Sequence, residues 1–571
     1  MNIVNRFLLR LALLPVALYR KIGVNTIHLK LILTAKLVMD DRRPNTFHQT
    51  RQRKSDKAIS GATIGTMIMS ALLGLLFLAT FRISDELVTQ LTFYFSVYIF
   101  MLASTLISDF TSVLIDIRDN YIILPKPVTD KTFVLSRLLH ILIHVTKIIL
   151  PMSIPGVIYM IIFRGYWPAF IFFLMILSAT MFTVFLINII YLAILKVTSP
   201  QKFQALISYI QIVMTILIFG GYQVIPQMVG KMPLGSFILK PNFWLWLLPS
   251  YWFALCCEFF SFLSLQPSLL FGSLLAILVP AFSLWMVIKY FAPSFNQKLS
   301  LITGTTEESV SLKKSGSNKR NRPLLLAERL SKIFAKKGEE RMGFLITWKL
   351  TGRLRDFKLK VYPSIGYIAV LIVIMFFNNN ELSIAELKSS NSQIRAIVIS
   401  ILYSSSFLLV LAIGQLQYSD KFKAAWFYFT MPIKKPGLIF SGALKAAVVK
   451  FYIPIMLLLS VLGIVLIGFH LLPNLVLGLL NVLLGCLILS LITLRNLPFS
   501  ASQQTSQKAG VIFRGFLSMF MVFSLAIFHY IVYDILIVVI ISIFLSALAN
   551  WLLFDYLKNK SWTKVLDSYS H

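Results

Sequence analysis

His140, His144 and Lys147 fall at i, i+4 and i+7 within an otherwise apolar stretch, on one face of any helix drawn through it. Lys445 and Lys450 recur in a similar stretch of the second half. Ionisable groups within lipid are costly and mark functional pathways by default. One reading of these five residues is the polar lining of a central pathway open to the cytoplasm. The other is that the stretches exceed the length needed to span, so that their ends project and the side chains snorkel to the interface. Chemistry beyond binding has little to work with. The chain has no G-x-x-x-x-G-K-[ST] phosphate loop, no H-E-x-x-H helix, no G-x-S-x-G elbow and no paired carboxylates with metal spacing. No catalytic, cofactor or metal residue is therefore assigned. Cys256, Cys257 and Cys486 read as small hydrophobes, and Glu258 stands alone.

The elements that must position these groups are set by composition. Of 571 residues, 57% are hydrophobic and only 13% charged, and the mean hydropathy is +0.80. A soluble chain carries nearly twice that share of charge. Crossing a ~30 Å hydrocarbon core takes about 20 apolar residues in a helix. Stretches of this kind run near Ile59–Phe81, Leu87–Ser108, Phe133–Phe163, Pro168–Leu195, Leu206–Val224 and Leu269–Tyr290. A second set runs near Tyr362–Phe377, Ala396–Leu416, Leu438–Phe469, Leu475–Leu494, Val511–Tyr530 and Ile535–Phe554. The expectation is an all-α polytopic membrane protein of about twelve spans. Pro151, Pro155, Pro280 and Pro454 should kink the spans that hold them.

Net charge is +32, but the basic residues occupy alternate loops, which is the positive-inside pattern and not a nucleic-acid face. Asp40–Lys57 is basic, as are the linker around Lys313–Arg322 and the tail with Lys558, Lys560 and Lys564. Both termini are then cytoplasmic in a multi-pass chain of the cell membrane. The opening stretch MNIVNRFLLRLALLPVALYRKIG is interrupted by Arg10 and reads as one amphipathic helix on the cytoplasmic surface. Pro226–Pro267, with NFWLWLLPSYWFALCCEFF, is poorly suited to a clean span and reads as a re-entrant or interfacial hairpin at the outer face.

The chain also repeats itself. LILTAKLVMDDRR precedes the first span and FLITWKLTGRLRD the seventh. At an offset of 305, Pro127 meets Pro432, Tyr121 meets Trp426, Ser136 meets Ser441 and His140 meets Lys445. Each half is a surface helix followed by six spans, and an even number of spans makes the repeats parallel. The halves are residues 1–293 and 324–571, joined by a polar, Ser/Lys-rich cytoplasmic linker at 294–323.

Two equivalent loops, Asp116–Lys131 and Lys421–Pro436, each join charge, a short aromatic or aliphatic run, a proline and basic residues before a long span. A short helix ended by proline fits both. Tyr121, Ile122, Ile123 and Leu124 offer apolar surface there, as do Trp426, Phe427, Tyr428 and Phe429. Two copies at equivalent positions favour a knob that docks on a soluble partner over an interfacial turn without one.

In these loops the chain resembles permeases of ATP-binding-cassette exporters, whose second and third spans are joined by a coupling helix. LIDIRDNYIILPKPVTDKTFVLSRLL is similar to that segment, with a short helix before a Leu-Pro-x-Pro-Val-like turn. SDKFKAAWFYFTMPIKKPGLIFSG is similar but lacks the first proline. Such permeases usually come as two six-span subunits, whereas this chain is fused. The resemblance implies a separate cytoplasmic ATPase in two copies, which binds ATP and Mg. It would dock on Tyr121–Leu124 with Pro127 and on Trp426–Phe429 with Pro432. Outward direction is likewise implied by the resemblance, and the scarcity of deep charge suggests an apolar or amphipathic cargo, such as a peptide, antimicrobial or lipid. The rival readings are an ion-gradient-driven transporter, a membrane enzyme acting on lipid-linked substrates, and a sensor that moves nothing.

Overall fold

Long runs of Leu, Ile, Phe and Val leave the backbone no water to bond with inside lipid, so each run closes its hydrogen bonds within a helix. The computed structural model describes residues 3–21, 23–42, 61–113, 126–198, 206–218, 220–221, 238–239, 242–263, 265–286, 326–377, 392–419, 421–502 and 509–562. Among these residues there is no strand beyond a single bridge, Tyr418 to Ala501. The protein is all-α and membrane-embedded. Eight helices are long and apolar enough to cross a bilayer, or nine if one bent pair counts as a span.

The chain divides into two packing units. The first opens with α1 (Ile3–Ala12) and α2 (Val16–Lys21), followed by α3 (Thr26–Arg42). Its apolar helices are α4 (Gly61–Phe77), α5 (Leu87–Val113), α6 (Asp130–Arg164) and α7 (Tyr166–Val197). The opening amphipathic stretch is two helices and not one, since α1 ends three residues before Pro15 leads into α2. One face of α1 packs inward through Leu8, Leu9 and Ala12, while Ile3, Phe7 and Leu11 are exposed. Pro151 and Pro155 are carried inside the continuous helix α6.

The short apolar helix α8 (Leu206–Ile218) comes next in the chain, but from Ser208 onward it packs with the second unit. Gly366, lacking a Cβ, admits Ile216 at a distance where any larger residue would collide with it. Gln211 Oε1 accepts from Arg355 Nη2 at 3.3 Å. Sequence order places this helix in the first half, and side-chain fit places it in the second unit.

The aromatic stretch before Pro267 folds as α9 (Pro249–Phe262), which bends by 117° into α10 (Pro267–Met286). The hairpin is expected within Pro226–Pro267, of which residues 226–237 lie outside the described residues; the bend seen joins α9 to the sixth predicted span, and α9 is no loose appendage. Tyr251, Phe253, Ala254, Cys256 and Cys257 are buried, and α9 packs on α5 and α7. Leu263, in left-handed conformation at φ 49°, ends it.

The second unit holds α11 (Leu326–Phe334), α12 (Glu339–Arg353), α13 (Arg355–Val361), α14 (Pro363–Phe377) and α15 (Ser392–Gln415). It continues with α16 (Pro436–Ala447), α17 (Ile453–Leu466), α18 (Leu472–Thr493), α19 (Ala509–Val532) and α20 (Leu536–Lys558). A π-helical turn, Val448–Tyr452, joins α16 to α17 just before Pro454, so the expected kink is realised as a widened turn. Of the twelve predicted stretches, those at α8, α14 and α19 do not show the full length of a span among the described residues. The packing order in the two units is alike. In the first, α5 packs on α7 and α9, and α7 on α9 and α10. In the second, α15 packs on α18 and α19, and α18 on α19 and α20.

Candidate functional site

The loop between α15 and α16 begins with a tether. Ser419 N–H donates to Ala501 O at 2.9 Å, Ala501 N–H to Gln417 O at 2.9 Å, and Phe499 N–H to Leu416 O at 2.8 Å. A 3-10 turn over Phe422–Trp426 then runs into one α-helical turn, Phe427–Thr430, which stops at extended Met431 before Pro432. The expected short helix ended by proline is therefore present in this copy. Its aromatic run divides by direction. Tyr428 is 1% exposed and joins the core with Ala425 and Ile433, while Trp426 and Phe429 are 65% and 48% exposed. Phe427 is half-buried and Pro432 exposed.

The far side of the loop is clasped from two directions. The backbone N–H groups of Lys434 and Lys435 donate to the two carboxylate oxygens of Glu339 on α12, at 2.7 and 3.4 Å. Trp562 Nε1 donates to Ile433 O at 2.8 Å, and its ring lies 5.9 Å from that of Phe429. The arrangement is a rigid mount with two aromatic rings facing outward. In the first copy, Tyr121, Ile122, Ile123 and Leu124 lie outside the described residues, and Pro127 is exposed.

The five ionisable residues singled out in the spans are turned toward the helices that precede them. His140 donates from Nε2 to Asp40 Oδ2 on α3 at 2.6 Å, and is 6% exposed. His144 and Lys147 add positive potential at the same carboxylate. Burial pushes the Asp40 carboxyl up, but His140's hydrogen bond and the three nearby cationic groups outweigh it and hold it below the usual range. In the second unit Lys445 Nζ lies 2.7 Å from Glu340 Oε1 on α12, and Ser441 Oγ donates to the same oxygen at 2.8 Å. Burial raises Glu340, but Lys445's hydrogen bond, the Lys336 N–H and Ser441 together hold it below its ordinary value. Lys450 Nζ donates to Trp348 O and Thr351 Oγ1, each at 2.8 Å. Helices α12 and α16 touch through their backbones. A Cβ on Gly442 would collide with Glu340 O, and one on Gly343 would come within 2.5 Å of Ile439 O.

One cluster escaped the sequence reading. His529 on α19 is fully buried and joins a hydrogen-bonded chain across four apolar helices. Asn474 Nδ2 donates to Tyr533 O at 3.4 Å, so its Oδ1 accepts from His529 Nε2 at 3.1 Å. That leaves His529 Nδ1 as acceptor for the Tyr403 hydroxyl at 3.2 Å. Tyr403 in turn accepts from Asn481 Nδ2 at 2.9 Å, and Asn481 Oδ1 from Ser546 Oγ at 2.7 Å. Asn550 Nδ2 reaches Leu480 O at 3.0 Å. The signal was available: Asn474 and Asn481 are seven apart on one apolar helix, and Ser546 and Asn550 four apart on another.

Among the described residues no group of three or more His, Cys, Asp or Glu could hold a metal ion. Comparison with protein-family models, curated proteins and solved structures finds no match.

Proposed function

We propose that this chain is the membrane-spanning subunit of an ATP-binding-cassette exporter in the cell membrane, with two parallel six-span halves and both termini cytoplasmic. A separate ATPase, in two copies, binds ATP and Mg and docks on Trp426, Phe429 and their counterparts in the Tyr121–Leu124 loop. Its closure is passed through the clasped loop to α12 and α16, and the two bundles rearrange to move an apolar or amphipathic cargo outward. The observation that carries this reading is the direction of the aromatic run: Trp426 and Phe429 face away from the protein on a loop whose flanks are tied to Glu339, Trp562 and Ala501. Exposed rings on a tied loop are pre-organised to fill a partner's pocket. The like packing of α5 on α7 and α7 on α10, and of α15 on α18 and α18 on α20, supports two repeated halves.

The test is gentle purification from the native membrane, with and without Trp426→Ser and Phe429→Ser. An ATPase that accompanies the wild type and leaves the double variant supports the reading, and an ATPase indifferent to both changes refutes it. A gradient-driven transporter is the second reading, favoured by the fully buried imidazole of His529. Uptake that persists without ATP and stops in His529→Gln would select it.

A further inference from the structure

Lys450 lies within a candidate membrane span, on the π-helical turn, and its ammonium has three protons to place. Two go to Trp348 O and Thr351 Oγ1. The charge also sits 5.4 Å from the centre of the Trp348 ring and 5.5 Å from that of Phe451. Gly352 makes room for it, since a Cβ there would stand 3.2 Å from Nζ. None of these partners carries a negative charge. Among the described residues Lys450 has no carboxylate within ion-pair distance, although Lys445, one turn earlier, has Glu340.

A second cation stands close by. Lys358 on α13 follows Phe357, whose ring lies 5.7 Å from that of Phe451 on the π-helical turn, and its own ammonium rests 5.2 Å from the centre of the Tyr209 ring. It too lacks a carboxylate partner among the described residues. Two like charges held near each other, one of them within a candidate span, repel and are poorly solvated, which a fold tolerates when an anion completes the set. Thr347, one turn before Thr351 on the same face of α12, is fully buried with its hydroxyl unpartnered among the described residues. A buried hydroxyl of this kind calls for an unseen acceptor. Cations framed by Trp and Tyr rings beside a lipid-exposed helix are the chemistry that recognises an anionic headgroup.

We propose that Lys450 and Lys358 form a binding site for the phosphate of an anionic phospholipid, drawn from the surrounding bilayer and resident between α12, α13 and the π-helical turn. The lipid supplies the counter-charge that the described residues do not. The site requires a membrane-embedded chain and is independent of whether an ATPase docks.

The full-length protein is purified in a neutral maltoside detergent and its thermal unfolding is followed with added phosphatidylglycerol, phosphatidylcholine or glycerol 3-phosphate. Phosphatidylglycerol should raise the melting temperature by a few degrees, as a ligand well above its Kd does, and phosphatidylcholine should not. Lys450→Gln with Lys358→Gln should abolish the shift, while Lys434→Gln, on the exposed docking loop, should keep it. Equal shifts with both lipids, or a shift that survives the double change, overturns the site. A shift reproduced by glycerol 3-phosphate alone overturns the lipid as its source. Should the double variant fail to fold, Lys358→Gln alone and native mass spectrometry of the wild type decide. Retained phosphatidylglycerol exchanging for phosphatidylcholine without preference refutes the proposal.

Discussion

The two units solve the same packing problem with different side chains. In the first, α5 is held by rings. Tyr94 lies edge-on to Phe77 at 5.8 Å and to Phe172 at 5.0 Å, and stacks with Tyr98 at 6.4 Å. Phe95 reaches Phe253 of α9 at 5.7 Å. In the second, the matching helix α15 is held by the directed chain through Tyr403, His529, Asn481 and Asn474. Tyr98 and Tyr403 are 305 residues apart, the offset that also relates His140 to Lys445. Tyr98 keeps one partner, Thr180 Oγ1 at 2.8 Å, whereas Tyr403 serves Asn481, His529 and the Leu525 carbonyl. Ring packing is non-directional and tolerates small shifts. A chain in which each donor needs one acceptor does not. The second bundle is thus the more sharply specified and the easier to break with a single atom.

The polar ties to the preceding helices differ in the same sense, and the largest effect is expected there. Glu340 is 1% exposed and takes Lys445, Ser441 and the Lys336 N–H, while the Asp40 side chain is 17% exposed. Glu340→Ala strands a cation and a hydroxyl where α12 and α16 touch, and should cost about 3–5 kcal/mol. Asp40→Ala should cost less than half of that, because water can reach the groups it abandons. Thermal unfolding of both variants in the same detergent ranks them. An equal loss would mean that the two ties are equivalent.

Next in size is the tyrosine pair. Tyr403→Phe removes a hydroxyl with three neighbours and should cost about 1–2 kcal/mol, and Tyr98→Phe about 0.5–1 kcal/mol. A reversal of that order would show that the network is slack and the rings are what hold α15.

The pH dependence follows from the two carboxyls. Each has a folded-state pKa below its ordinary value, so each contributes stability that is complete above the ordinary carboxyl range. That contribution is lost as pH falls through the folded-state pKa. Melting temperature should therefore fall on acidification below about pH 4. In Glu340→Gln the acid limb should flatten more than in Asp40→Asn, as read from pH-series melting curves.

Much of this was legible in the sequence because lipid is a severe solvent. Apolar length alone locates α5, α6, α7, α15, α18 and α20, and turn chemistry locates the stop at Pro432. The offset that aligns the two halves also pairs His140 with Lys445, each found bonded to a carboxylate on the helix before its bundle. The carboxylate partners themselves were not legible, since Asp40 and Glu340 sit at opposite ends of their helices and share no register. Nor was the placement of α8, which turns on the fit of Ile216 into the space beside Gly366. Composition read α9 correctly as no ordinary span, but could not reveal that its apolar face fills the space between α5 and α7. The His529 chain was passed over because a few polar residues barely lower the mean hydropathy of long apolar helices, although their spacing on α18 and α20 marks one face.

The smallest expected effect on stability carries the most functional weight. Trp426 is the more exposed of the two rings, so changing it to Ser should alter unfolding by no more than about 0.5 kcal/mol, whereas Phe429 also meets the Trp562 ring. Tyr428, two residues after Trp426 and next to Phe429, is buried, so the loop keeps its mount when the outer rings are removed. A partner that buries those rings would lose a central hot spot, typically worth more than 2 kcal/mol, or over thirtyfold in affinity. Stability unchanged with association abolished separates a docking surface from a structural one. If Trp426→Ser instead lowers the melting temperature as Tyr403→Phe does, the ring belongs to the fold, and the loop between α15 and α16 is held for its own sake.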